Sequence, residues 1–211
     1  MISKEQIEKN KARFLELVNS INREGMKKDL LIRQLTESDF FYAPASMNHH
    51  GCYSGGLCEH SLNVYDNLSK LVADFYDEEA YYESVKIVAL FHDFSNMNYF
   101  VHDVKNKKVY SDHGQKQDSQ GKYDWVQVDG YSKRDYKSRF MIGNHEANSA
   151  YMTDSFIPLT QEEYCAILNH HGGMDSAPLT SNICELWGKY PLSLLLHQAD
   201  CIASFMQESD E

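Results

Sequence analysis

The 211-residue sequence predicts an all-α helical bundle with a small β-hairpin insertion, folded as a single domain over 1–211. Three observations predict it. Apolar residues recur at three- and four-residue spacing through most of the chain, as in Ile7, Phe14, Val18 and Ile21. Only 4 prolines and 11 glycines interrupt it, which leaves room for long regular elements. One stretch, 98–131, instead mixes Val101, Val104, Val109, Trp125, Val126 and Val128 with Gly, Asp, Asn and Lys, the composition of β-hairpins.

Taken in order, residues 4–23 form an amphipathic helix that Gly25 breaks, and a second helix runs from Lys27 to about Glu37 with Leu30, Leu31 and Leu35 inside. These N-terminal helices (1–37) lead into Ser38–Ser46, whose Pro44 and aromatics suggest an ordered loop running toward the core. His49-His50-Gly51 and Gly55-Gly56 flank a turn. Leu57, Val64, Leu68, Leu71 and Phe75 then mark a long helix with His60 on its first turn. Residues 80–94 form the next helix, with Val85, Val88, Ala89 and His92 on one stripe, so His92 faces the core. The insertion leaves directly after His92-Asp93, and it reads equally as a lid over them or as a solvent-exposed ribbon with no role. Helical pattern returns over Asn144–Asp154, and Thr160 with Glu163 makes a capping box. The helix it opens carries Tyr164, Ile167, Leu168 and His171 on one stripe, with His170 beside it. Residues 174–182 read as loop and Ser181–Gly188 as a short helix. A last helix spans Pro191 to about Gln207, and 208–211 is a frayed acidic tail.

Net charge of −11, spread along the chain, argues against a duplex-DNA partner, whose phosphates require Lys and Arg. A small phosphorylated substrate stays compatible with it, because a bound metal supplies positive charge locally. The five cysteines (52, 58, 165, 184 and 201) are odd in number and form no C-x-x-C pair, so they read as reduced, small core residues of a cytoplasmic protein. The polar N-terminus is unlike a signal peptide, and the apolar run Leu192–Met206 is interrupted by His197, Gln198 and Asp200, so no membrane partner is expected. No feature sets an oligomeric state.

The chemistry-bearing residues sit among apolar or small neighbours on separate helices: His60, His92-Asp93, His145, His170 and Asp200. A single histidine on an apolar face is more often a hydrogen-bonded core residue than a ligand. A carboxylate after Leu194-Leu195-Leu196, however, needs a buried partner, with His197 one turn before it a candidate. Two buried aspartates occurring with several inward histidines point to a catalytic divalent metal held in a bundle interior.

The order His60 … His92-Asp93 … His170 … Asp200 resembles the HD-domain superfamily of metal-dependent phosphohydrolases. Gly55-Gly56-Leu57-Cys58-Glu59-His60 is similar to its first-ligand motif, Ala89-Leu90-Phe91-His92-Asp93 to its second, and His197-Gln198-Ala199-Asp200 to its last. Ala43-Pro44-Ala45 and His50 resemble HD hydrolases of phage and bacterial origin and the HD domains of some exoribonucleases. The resemblance spans 38–206 and implies that His60, His92, Asp93 and Asp200 bind a first metal. In two-metal members Asp93 would bridge, with His145 and His170 on the second ion; His171 is the alternative to His170. His50, Glu59, Asn96 and His197 would line the substrate or orient ligands, and Asp93, His145 and His171 would carry catalysis. Asn96 departs from the pattern, standing where many members have a Lys.

The expected function is hydrolysis of a nucleotide or other small phosphate ester by water activated on one or two divalent ions: Mn, Fe, Co, Ni or Zn, with Mg as a further candidate. Tyr123, Trp125 and Tyr131 of the insertion offer surfaces on which a base could stack. The alternatives are a non-catalytic metal- and nucleotide-binding module, favoured by Asn96, and a nuclease acting on single strands.

Overall fold

Leu57, Val64, Leu68 and Val72 are buried on α3 (Gly56–Phe75), and this helix packs against α1 (Lys4–Asn19), α4 (Glu78–Phe91) and α8 (Pro191–Ile202). The computed structural model describes residues 2–76, 78–172 and 182–208. Within them the protein is mostly helical: α2 (Lys28–Glu37), α5 (His145–Phe156), α6 (Gln161–Leu168) and α7 (Ile183–Lys189) complete the set. The expected loop at 174–182 falls outside the described residues except for Asn182, the N-cap of α7, as do Ser181, the first residue of the expected 181–188 helix, and the tail residues 209–211. No helix among the described residues is long and apolar enough to cross a membrane.

Two apolar clusters flank α3. One gathers Phe14, Phe40, Phe41, Phe91 and Phe94, whose rings meet mostly edge to face at 4.9–5.9 Å. The other joins Val64, Leu68, Val88, Ile167 and Leu196. The ligand-bearing ends of α3, α4, α5, α6 and α8 therefore rest on packed rings and aliphatic chains, which fix their directions.

Several boundaries differ from expectation. α1 stops at Asn19, ahead of Gly25, because the Ser20 hydroxyl and amide turn back onto the Leu17 and Glu16 carbonyls; Ile21 is buried from the following loop. Leu30 is 51 % exposed and Phe75 67 %, so neither belongs to the core. α4 ends at Phe91, and His92-Asp93 lie in the turn before a 3₁₀ segment, Phe94–Asn96. Of the cysteines only Cys58 is buried, Cys184 is exposed, and Cys52, Cys165 and Cys201 are half-buried.

The insertion is one three-stranded antiparallel ribbon: β1 (Phe100–Tyr110), β2 (Lys116–Asp118) and β3 (Gly121–Lys133), in the order β1-β3-β2. Its register pairs Phe100 with Lys133 at the root and Tyr110 with Tyr123 at the far end. Arg134 ties the root down, its amide donating to the Tyr99 carbonyl (2.9 Å), and Asn98 N–H donates to Asp39 (2.6 Å).

Candidate metal centre

The centre is assembled from five chain segments. Gly56 approaches Gly51 so closely that a Cβ there would lie 2.0 Å from the Gly51 carbonyl oxygen. That contact seats the His50 loop on the start of α3, with the His50 ring 4.6 Å from that of His60. The Ser95 hydroxyl donates to the His145 carbonyl (2.9 Å), and its amide donates to Ser149 (3.1 Å), so α5 is anchored beside Asp93. Asn144 caps α5 by accepting the Ala147 amide (2.8 Å). α6 opens with the expected Thr160–Glu163 capping box and stops at Leu168, leaving His170 in the following turn.

Tautomers follow from the partners. His92 Nδ1 donates to the Ala89 carbonyl and His170 Nδ1 to the Ile167 carbonyl, each at 2.8 Å. A carbonyl can only accept, so both rings carry their proton on Nδ1 and turn Nε2 inward. His60 Nδ1 donates to the Glu208 carboxylate (3.1 Å). The inward atoms converge: His60 Nε2 is 3.1 Å from His92 Nε2 and 3.2 Å from Asp200 Oδ1. Asp93 Oδ1 is 3.5 Å from His170 Nε2 and 3.7 Å from His145 Nε2, and its Oδ2 is 4.0 Å from His92 Nε2.

Ligand atoms about 2.1 Å from one ion stand roughly 3.0–3.5 Å from each other, the scale of these separations. Among the described residues Asp93 Oδ1 and His170 Nε2 are buried with no hydrogen-bond partner. Leaving such atoms dry and unpaired costs kilocalories. The donor set thus fits a divalent cation: His60, His92 and Asp200 form one group of converging donors, and His92, Asp93 and His170 form another.

Without an ion, protons hold the cluster together. Burial pushes the His92 imidazole down to about 4, so its Nε2 is a bare lone pair at neutral pH. Burial acts on His60 in the same direction, but its hydrogen bonds to Asp200 and Glu208 win and raise its pKa well above the ordinary value. His170 is likewise opposed by burial and raised to about 9 by Asp93. Burial would push the Asp93 and Asp200 carboxyls up, yet the surrounding imidazoles hold both below the usual range. Burial lowers His145 and His50.

A cleft of about 600 Å³ opens onto Asp93, His145 and His171, walled by Met47, Tyr99 and Phe100, with Lys133 at its rim. His145 and His171 keep about a third of their side chains exposed, at 29 % and 32 %, whereas His60, His92 and His170 are sealed. His170 Nε2 lies 3.5 Å from Asp93 Oδ1, in the turn after the helix has ended at Leu168, and the His171 ring, 4.4 Å from that of His170, joins it and His145 in a further group of converging donors.

No protein-family model matches this chain, and neither a curated protein nor a solved structure matches it.

Glu59, His197 and Asn96, expected to line the substrate or orient ligands, make the following contacts. Glu59 accepts the Tyr53 hydroxyl (2.6 Å). His197 does not pair with Asp200; its Nδ1 donates to the His170 carbonyl (2.8 Å) and its ring stacks on Trp187. Asn96 lines the cleft but commits its amide to the Ala45 carbonyl (3.2 Å). Only the ribbon root reaches the cleft. Trp125 and Tyr123 pair with Lys108 and Tyr110, at least eight residues or about 26 Å farther out, where their rings meet edge to face and Lys108 lies over both.

Sequence reasoning missed Glu208, Glu146 and Lys133. Glu208 was assigned to a frayed tail, yet its side chain is 3 % exposed. Ser204, one turn after Asp200, donates to it (3.1 Å), but the π turn that follows carries Glu208 off the helical spacing, so the sequence held no signal for it. Glu146, read only as a follower of His145, is buried and accepts the His171 amide (3.1 Å).

Proposed function

We propose that this protein is an HD-type, metal-dependent phosphohydrolase acting on a nucleotide or another small phosphate ester. The observation that carries the reading is the set of imidazoles with Nδ1 engaged and Nε2 turned onto two buried aspartates, one of which opens into a cleft with a lysine at its rim. His60, His92, Asp93 and Asp200 would hold one ion, and Asp93, His145 and His170 a second. Bound there, such ions supply Lewis acidity that lowers the pKa of water and offsets phosphoryl charge.

The chain's own groups do the remaining work. His145, lowered by burial and partly exposed to the cleft, stays in the neutral form whose Nε2 would ligate the second ion. His171 lies beside it, ring centroids 4.7 Å apart, as the group that passes a proton to or from the leaving oxygen. Lys133 offers the positive charge that Asn96 does not, here from the ribbon rather than from the segment after Asp93. Tyr99, Phe100 and Met47 limit water at the reacting end.

The test is metal analysis of protein loaded with Mn²⁺ and desalted, followed by turnover of p-nitrophenyl phosphate and a nucleotide panel. Chelator-sensitive hydrolysis restored by added metal supports the reading; a protein that retains no divalent ion overturns it. Asn96 also favours a second reading, a binding module that holds a nucleotide unchanged. A nucleotide that raises the melting temperature and is recovered intact selects that reading.

A further inference from the structure

Beyond the ligands themselves, the chain's final described turn enters the centre. After α8 the helix widens into a π turn, Ala203–Gln207, and the Glu208 amide donates five residues back to the Ala203 carbonyl (3.0 Å). In an unbroken α-helix Glu208 would stand about 80° round from Asp200. The extra residue in the π turn brings it back toward that face, the kind of local widening often found at functional sites. The turn is clasped to α3: Asn67 and Gln207 exchange two amide hydrogen bonds (3.0 and 3.1 Å), and Asn63 donates to Glu208 Oε1 (2.8 Å). A buried carboxylate is costly, and the contact it makes is the one from His60 Nδ1 to Glu208 at 3.1 and 3.2 Å.

We propose that Glu208 is a positioning residue of the metal centre: by accepting the Nδ1 proton of His60 it fixes the ring's tautomer and rotation and commits Nε2 to the ion. This rests on the metal-centre reading above. The carboxylate–imidazole–metal arrangement raises ligand basicity, and losing such a partner typically costs 10–100-fold in metal affinity. His92 and His170 obtain the same orientation from backbone carbonyls of their own helices, α4 and α6. His60 lies within α3, where the Leu57 carbonyl three residues back already accepts the Ser61 hydroxyl, and its Nδ1 is served by a side chain from a distant segment.

The experiment titrates Co²⁺ into wild type, Glu208→Ala and Glu208→Gln, reading the visible d–d absorption and the affinity against a competing chelator. Circular dichroism and melting of the metal-free proteins run alongside. Glu208→Ala should bind Co²⁺ about 10–100-fold more weakly with an altered absorption band and unchanged metal-free helicity. Glu208→Gln, which keeps an acceptor oxygen, should recover part of the loss and keeps the test decisive if the alanine variant fails to fold. Wild-type affinity and spectrum in both variants overturn the inference, as does a loss that tracks metal-free unfolding alone. Wild-type protein that takes up no Co²⁺ overturns the metal centre itself, and this inference with it, so the two failures are told apart.

Discussion

Glu163 and Asp93 are both carboxylates sealed inside the bundle, and they are satisfied in opposite ways. Glu163 accepts two hydrogen bonds from Arg23 (2.7 and 2.9 Å), one from the Ser84 hydroxyl (2.7 Å) and one from the Thr160 amide (2.7 Å). Burial pushes its carboxyl up, but Arg23 and the other donors hold it below the ordinary value. Asp93 has imidazole nitrogens at 3.5–4.0 Å and a buried Oδ1 with no hydrogen bond among the described residues. Glu163 is closed by the protein's own donors, whereas Asp93 faces imidazole nitrogens that could hold a metal ion with it.

The largest expected effect breaks the comparison from the Asp93 side. Asp93→Asn removes the carboxylate facing both donor groups and should abolish retained Mn²⁺ and lower hydrolysis by at least about 1,000-fold. Its metal-free melting temperature should stay near wild type, since His170 can shed its proton once Asp93 loses its charge. Metal analysis and a melting curve with and without Mn²⁺ check it. A variant that still gains stability from Mn²⁺ would mean that Asp93 is architectural like Glu163.

Glu163→Gln should do the reverse. Breaking the buried pair leaves Arg23 short of its partner and should cost about 3 kcal/mol in urea unfolding, with Mn²⁺ affinity unchanged. The pH dependence has a definite sign. A depressed carboxyl contributes stability above its unfolded pKa near 4.5 and loses it as pH falls through the folded value. The gap between wild type and variant should therefore be full at pH 6 and close below about pH 4.5.

The contrast also explains what could be read from sequence. His60 and Asp200 were legible because each lies inside an apolar helical run whose period turns it inward; His92, Asp93 and His170 were read from the runs they follow, although they stand in the turns beyond them, and His145 from its place at the start of α5. Glu163 was legible as a cap, since Thr160 three residues earlier is a local signal. The choice of His170 over His171 was not, because it depends on α6 ending at Leu168. Glu208 was hidden by the π turn, which breaks the period on which the reading relied. Lys133 was hidden because it meets the cleft only through a strand register that pairs it with Phe100, and hairpin composition does not fix register.

Lys133→Ala sharpens the comparison at the cleft rim. If Lys133 binds substrate charge and Asp93 binds metal, the variant should retain Mn²⁺ as wild type does and raise KM for a phosphomonoester about tenfold, with kcat changed less. A normal KM would leave the ions alone to recognise the phosphoryl group.

The smallest effect is expected farthest out on the ribbon. Trp125 pairs with Lys108, eight residues from the Phe100–Lys133 root, and its indole meets Tyr123 edge to face at 5.9 Å. Along a strand that separation is about 26 Å, several times the length of a nucleoside monophosphate's phosphate-to-base reach. Trp125→Ala should therefore leave turnover of a mononucleotide within about twofold while lowering ribbon stability by about 1 kcal/mol through the lost cross-strand pair. The same variant assayed on a single-stranded oligonucleotide decides what the ribbon is for. Equal activity on both substrates makes it a structural arm. Loss confined to the oligonucleotide means that a strand lies along β1 and β3 with its end in the cleft, and the preferred substrate is then a polymer and not a monomer.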